Sequence, residues 1–294
     1  MKFGVAFANA SRFATGEGAL AMAQGAEAAG IESLWTVEHV IIPEGYESEY
    51  PYDPSGKIQG KDSSAIPDPL VWLAFCAGVT TKLKLGTGIL IVPQRNPLVL
   101  AKECATLDSM SGGRLLLGVG AGWLEEEFDA IGVPFADRGA RLDDHIAAMR
   151  ALWSKDEDAS TYHSDFTNFD RAYSFPKPAQ ESIPVIIGGH SKVAARRAGR
   201  LGDGFFPGKG SNDTLKELFT VMRQAAEDAG RDPDAIEITA GGYAALFSDD
   251  PVGVIQELAD MGVSRAIIPP LSFRPAELAE KFAEFGENVI AKVG

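Results

Sequence analysis

Residues 83–123 read LKLGTGILIVPQRNPLVLAKECATLDSMSGGRLLLGVGAGW, two apolar strand-like runs on either side of one amphipathic helix, each run followed directly by small residues. In a parallel α/β fold the carboxyl ends of the strands face the ligand, and glycine there lets a planar ligand lie against bare backbone. Thr87-Gly88 and Gly118-Val119-Gly120-Ala121-Gly122 stand at those two ends.

The same alternation runs through the chain, the pattern of a parallel sheet with crossover helices. Strands are expected at 3–8, 33–37, 83–89, 115–119, 185–187, 204–206, 236–240 and 266–268, and helices at 17–29, 69–79, 97–110, 137–153, 192–199, 214–229, 252–261 and 275–290. Ala29-Gly30, Ala229-Gly230 and Met261-Gly262 read as left-handed helix ends. Eight strands is the number of a (β/α)8 TIM barrel, although a doubly wound open sheet shows the same periodicity. The 294 residues fit one barrel domain over 1–294, since such barrels fold as single units of roughly 250 residues.

Two segments interrupt the pattern. Residues 40–67 form a long stretch rich in Gly, Pro and Tyr (Tyr46, Tyr50, Tyr52) without helical period, the mark of a lid or binding loop. Residues 155–182 form an insertion in which Tyr162, Phe166, Phe169, Tyr173 and Phe175 are spaced as anchors of a short hairpin or loop.

Charge and cysteine usage narrow the function. With 27 Lys and Arg against 41 Asp and Glu, a net charge of -14, the chain lacks the cationic surface that nucleic acid or an anionic membrane requires. Cys76 and Cys104 sit within helices among apolar neighbours and read as buried free thiols. The amino terminus runs straight into a strand without a signal-peptide pattern, and no apolar run approaches the roughly 20 residues that span a bilayer. A cytoplasmic protein acting on a small molecule is the expectation.

His39 follows the second strand beside Glu38, at the end where a barrel keeps its active site. Gly188-Gly189-His190-Ser191 lies between a strand and a helix, where unblocked N–H groups and the positive helix end bind an anion. His190 is a further side-chain donor there. Lys209 follows the sixth strand and reads either as a contact to substrate or cofactor phosphate or as an exposed loop lysine. Arg95 reads either as part of the site or as the partner of a barrel carboxylate. His145 is assigned to a helix surface and His163 to the insertion, and no His, Cys and carboxylate spacing suggests a metal.

Several of these pieces carry a resemblance. Gly86-Thr87-Gly88-Ile89, Arg95-Asn96-Pro97, Ala105-Thr106-Leu107-Asp108 with Gly112-Gly113-Arg114, Gly118-Val119-Gly120-Ala121-Gly122-Trp123, Glu38-His39 and the segment IPVIIGGHSKVAARRAGRLGDGFF at 183–206 occur in one order. In this the chain resembles the luciferase-like monooxygenase superfamily, and most of all its deazaflavin (coenzyme F420) dependent oxidoreductases. The resemblance implies a luciferase-like TIM barrel holding F420, or FMN as the alternative, at its mouth. It further implies a cis peptide between Gly88 and Ile89 behind the cofactor ring, and a cofactor wall at Gly120, Ala121 and Gly122. Phosphate would sit at Gly188, Gly189, His190 and Ser191. His39 would be the proton partner, with Glu38 orienting it or touching the ring.

In the sugar-phosphate dehydrogenase branch a tryptophan stands where this chain has Pro43, and a catalytic glutamate where it has Trp123. That departure points away from glucose 6-phosphate toward an apolar or aromatic substrate near Trp123, unless Trp123 simply closes the cofactor pocket. The expected activity is hydride transfer between F420 and a small organic molecule. An FMN-dependent monooxygenase using molecular oxygen is the alternative, and a non-catalytic flavin-binding protein the rival of another class. By analogy with the family the chain forms a homodimer.

Overall fold

The computed structural model describes residues 1–58, 60–156 and 158–293. Its strands are β1 (Lys2–Val5), β2 (Ser33–Thr36), β3 (Lys84–Thr87), β4 (Leu90–Ile91), β5 (Leu115–Gly120), β6 (Ser160–His163), β7 (Asn168–Ala172), β8 (Val185–Gly188), β9 (Gly204–Phe206), β10 (Glu237–Gly241) and β11 (Arg265–Ile268). The order β3-β2-β1-β11-β10-β9-β8-β5, with β3 also pairing β5, closes an eight-stranded barrel, and β4 lies beside β5. All these pairs are parallel, as Leu85 opposite Leu115 and Val5 opposite Ile268 illustrate.

The crossover helices are α1 (Gly16–Ala28), α2 (Pro69–Val79), α3 (Pro97–Ser111), α4 (Glu125–Ala130), α5 (Arg138–Trp153), α6 (Lys192–Leu201), α7 (Asn212–Asp228), α8 (Pro251–Asp260), α9 (Leu278–Phe285) and α10 (Ala291–Val293). Their starts are set chemically. The Asp68 carboxylate accepts from the Leu70 and Val71 amides at 2.9 and 3.0 Å, and Asn96 accepts from Leu98 and Val99 at 3.0 and 3.2 Å, each just ahead of a proline at the first helical position.

β2, β5 and β11 are buried along their whole length, which explains why they read as continuous apolar runs. One large core lies between the outward strand faces and the helices. A smaller one fills the barrel with Ala6, Trp35, Leu116, Ile186 and Ile267, packed by Phe206. Trp35 is its largest member, and the glycines around it are there to admit it. A Cβ at Gly4 or Gly86 would stand 2.6 or 2.8 Å from the indole. The indole N–H donates to the Ser33 hydroxyl at 2.9 Å.

Four local expectations change. The first strand ends at Val5 rather than residue 8, because Phe7 turns through φ 52° to set Asn9 beneath the mouth. The Asn9 amide donates to the carbonyls of Val37 and Pro67 at 2.9 and 3.2 Å, tying the barrel to the long loop. The run at 83–89 breaks at a cis Gly88-Ile89 peptide into β3 and β4. The carboxyl-terminal helix expected at 275–290 divides into a 3-10 turn (Pro275–Glu277), α9 and a π turn (Gly286–Ile290). His145 is buried in α5 at 4% exposure, facing the Val92 carbonyl at 3.4 Å, and is not on a helix surface.

The insertion contains the expected hairpin, β6 against β7, held to α5 by the Tyr162 and Thr167 hydroxyls, which donate to Asp144 at 2.9 and 2.7 Å. Tyr162 and Phe169 stack across it. Tyr173 and Phe175 are not anchors: at 67% and 61% exposure they stack on each other at the surface. Cys76 and Cys104 are free and buried, and burial pushes both thiols well up. Among the described residues no helix is long and apolar enough to cross a membrane.

Candidate active site

The carboxyl ends of β2 and β5 bring His39 and Trp123 together, ring centroids 5.7 Å apart and nearly perpendicular. His39 Nδ1 lies 3.2 Å from Glu127 Oε2. The other oxygen of that carboxylate accepts from the backbone N–H groups of Val40 and Ile41 at 2.5 and 3.2 Å. Glu127 is 2% exposed. Its burial alone would raise the carboxyl, but the hydrogen bond and charge of His39, then the Gln94 side chain and the Ile41 amide, hold it below the ordinary carboxylate range. Sequence reasoning missed Glu127. Its signal was a run of three acids, Glu125-Glu126-Glu127, one residue beyond the loop that follows a barrel strand, a pattern that ordinarily marks a solvated helix start.

Glu38 does not orient His39. Its carboxylate turns away from His39 to accept from the Ile91 amide at 2.5 Å and to pair with the Arg95 guanidinium. Arg95 bridges on to Asp68 at 2.9 Å. Burial would lower Arg95, yet the two carboxylates hold it well above its ordinary value. Of the two readings of Arg95, the structure takes the barrel-carboxylate one.

Residues 40–58 and 60–67 cross the mouth as a strap of aromatic rings; residue 59 of the expected loop lies outside the described residues. Tyr46 and Tyr50 meet Trp123 at 5.6 and 5.1 Å, Tyr50 meets Tyr52 at 5.4 Å, and Tyr52 meets His190 at 4.9 Å. The strap therefore reaches from the His39 side of the mouth to the first turn of α6. Burial lifts the Tyr52 hydroxyl to about 12, so that ring stays neutral. Glu126 on α4 holds the near end, accepting from the Glu47 and Ser48 amides at 2.6 and 3.1 Å and from the Ser48 hydroxyl at 2.7 Å. Those bonds, the Ser48 hydroxyl first, lower its carboxyl to about 2.

At the far end the anion cradle differs in detail from expectation. The Gly189 N–H is spent in the sheet, donating to the Phe206 carbonyl at 3.1 Å. Gly189 is instead required by its φ of +123°, and a Cβ there would lie 3.0 Å from Ala194. The Ser191 hydroxyl caps α6, accepting from Ala194 N–H at 3.2 Å. The donors open to an anion include the first-turn amides at Lys192 and Val193, which no intrahelical carbonyl reaches, and the ring of His190. His190 Nδ1 is buried and unpartnered. Burial and then the nearby Lys209 disfavour its protonated form. A buried ring nitrogen without a partner, able to donate in its Nδ1–H tautomer, fits an anionic cofactor tail beside a helix start. Lys209 itself is exposed.

Three further glycines of the mouth admit the protein's own side chains. A Cβ at Gly120 or Gly188 would stand 2.0 or 2.6 Å from the Ile89 side chain, and one at Gly122 would stand 2.6 Å from Phe128. On that side of the backbone lie Ile89 and Phe128, and Ala121 packs on the main core. Among the described residues no cluster of His, Cys, Asp and Glu could hold a metal.

Residues 1–252 match the model of a family described as luciferase-like monooxygenase. An uncharacterized protein of Mycobacterium tuberculosis is 34% identical over 281 residues, 92% of this chain and 94% of that one. An F420-dependent glucose-6-phosphate dehydrogenase of Kineococcus radiotolerans is 31% identical over 255 residues, 85% of this chain and 69% of that one. The crystal structure of the monooxygenase RslO1 from Streptomyces bottropensis shares the fold at TM-score 0.79 over 100% of both chains, with 23% identity.

Proposed function

The chain belongs to the luciferase-like monooxygenase family and is a flavin- or deazaflavin-dependent oxidoreductase, and on that premise we propose that it binds F420 and acts on a small, apolar or aromatic substrate with His39 as proton partner. The observation that carries this reading is the aromatic strap, which joins the His39 and Trp123 end of the mouth to the His190 and α6 end. Kinship with an F420-dependent dehydrogenase supports the choice of cofactor.

F420, when bound, supplies a ring that takes up or gives a hydride. His190 and the amides of Lys192 and Val193 would hold its anionic tail, a task suited to a helix start. Trp123, Tyr46 and Tyr50 line the approach to His39 with ring edges and faces and exclude water from it. His39 takes up or returns the substrate proton that accompanies the hydride. Pro43 and Trp123, standing where the sugar-phosphate branch carries other residues, favour an uncharged substrate.

Titration of the purified protein with F420 and, separately, with FMN, each followed by cofactor fluorescence, tests this. Micromolar binding of F420 is expected. Binding of FMN alone overturns the choice of cofactor and selects the oxygen-using reading. Binding of neither removes both.

A further inference from the structure

Glu127 joins two things that need not be joined. One oxygen faces the Nδ1 of His39 at 3.2 Å, and the other holds the first two amides of the strap, Val40 and Ile41. A carboxylate that is 2% exposed is retained at such a place only when donors satisfy it, and here a ring nitrogen and two backbone N–H groups do so. The ring is 13% exposed, and its Nε2 has no hydrogen-bond partner among the described residues.

We propose that Glu127 is the positioning residue of His39: by accepting the Nδ1 proton it fixes the tautomer that leaves Nε2 bare toward the mouth, and it steadies the imidazolium formed when Nε2 takes up a proton. This rests on the reading of His39 as proton partner. Packing around the ring leaves little else to set its state. α4 contributes Glu127, the turn ahead of α4 contributes the uncharged Trp123, and the neighbouring Glu38 is turned to Arg95. The same contact holds the carboxyl of Glu127 below its ordinary range, which favours its acceptor form. Because the strap's root hangs from the other oxygen, displacement of Val40 and Ile41 displaces the acceptor that orients the ring.

The test reads the ring itself, without cofactor or substrate. The chain has 4 histidines, so long-range 1H–15N spectra of 15N-labelled protein are assignable by comparison with H39A. In the wild type the neutral His39 is expected to carry its proton on Nδ1. In E127L, which removes the acceptor at similar size, the preference for Nδ1 is expected to be lost, a substantial share of the neutral ring then carrying its proton on Nε2. A proton on Nε2 in the wild type, or an unchanged Nδ1 preference in folded E127L, overturns the proposal. Should E127L not fold, the wild-type tautomer decides alone. Failure to bind F420 would leave either result standing, so this inference and the cofactor reading fail separately.

Discussion

At the scale of single residues, His39 and His190 divide the work of the mouth between a proton and an anion. His39→Ala should leave the barrel folded, since its ring lies outside both cores, and should leave F420 affinity nearly unchanged. Turnover with a cognate substrate should fall by roughly 10²–10⁴, the usual contribution of a positioned acid or base. His39→Asn should be almost as slow, and wild-type turnover in both variants would remove His39 from the chemistry. His190→Phe keeps a ring for Tyr52 to pack on but has no N–H. Loss of one donor to an anionic oxygen should cost about 1.5–3 kcal/mol, or tenfold and more in F420 affinity by fluorescence titration. Gly189→Val is a poorer probe than its sequence context suggests, because φ +123° makes any side chain there strained whether or not a ligand binds.

At the scale of elements, α4 is the latch of the strap. Glu126 holds Glu47 and Ser48, and Glu127 holds Val40 and Ile41. Glu126→Ala should therefore speed amide exchange at Glu47 and Ser48 while amides of the barrel strands keep their protection, and equal protection in the variant would show that the aromatic contacts alone seat the strap. The sign of the pH effect follows from a folded-state carboxyl lowered from 4.5 to about 2. The tether contributes fully above about pH 4.5 and is lost as the pH falls through about 2, so Glu47 and Ser48 should keep their protection at pH 5 and lose it on deep acidification. The barrel strands, the helix starts and the unpatterned loop were legible because period and caps are local properties. α4 was not, because Glu125–Ala130 spans too few residues to show a period, and its acids gain meaning only from what the strap lays against them. Glu38-His39 was found as a pair, yet which neighbour serves His39 depended on Arg95, 57 positions away in sequence.

At the scale of the whole molecule, the barrel is built around Trp35, and three of the glycines that drew attention in the sequence lie against it. Motif and spacing located Gly86, Gly88 and Gly118, but only the closed ring reveals that the bulk opposite them belongs to the protein. Trp35→Ala should cost about 3–5 kcal/mol in chemical denaturation, the range for emptying a large aromatic site, and Gly86→Ala should destabilise by crowding the indole 2.8 Å away. A cost below 1 kcal/mol for Trp35→Ala would mean that the inner layer collapses without it. The strap is pinned unevenly to this frame. Its two ends are tied to α4 and Asn9 and its tyrosines to Trp123 and His190, whereas residues 60–64 are exposed and their one hydrogen bond among the described residues runs from the Ser64 amide to the Lys61 carbonyl. A reporter dye or short peptide spliced at 60–64 would ride on the rim of the pocket, and the seating of the strap could be followed from outside without exchanging a single wall residue.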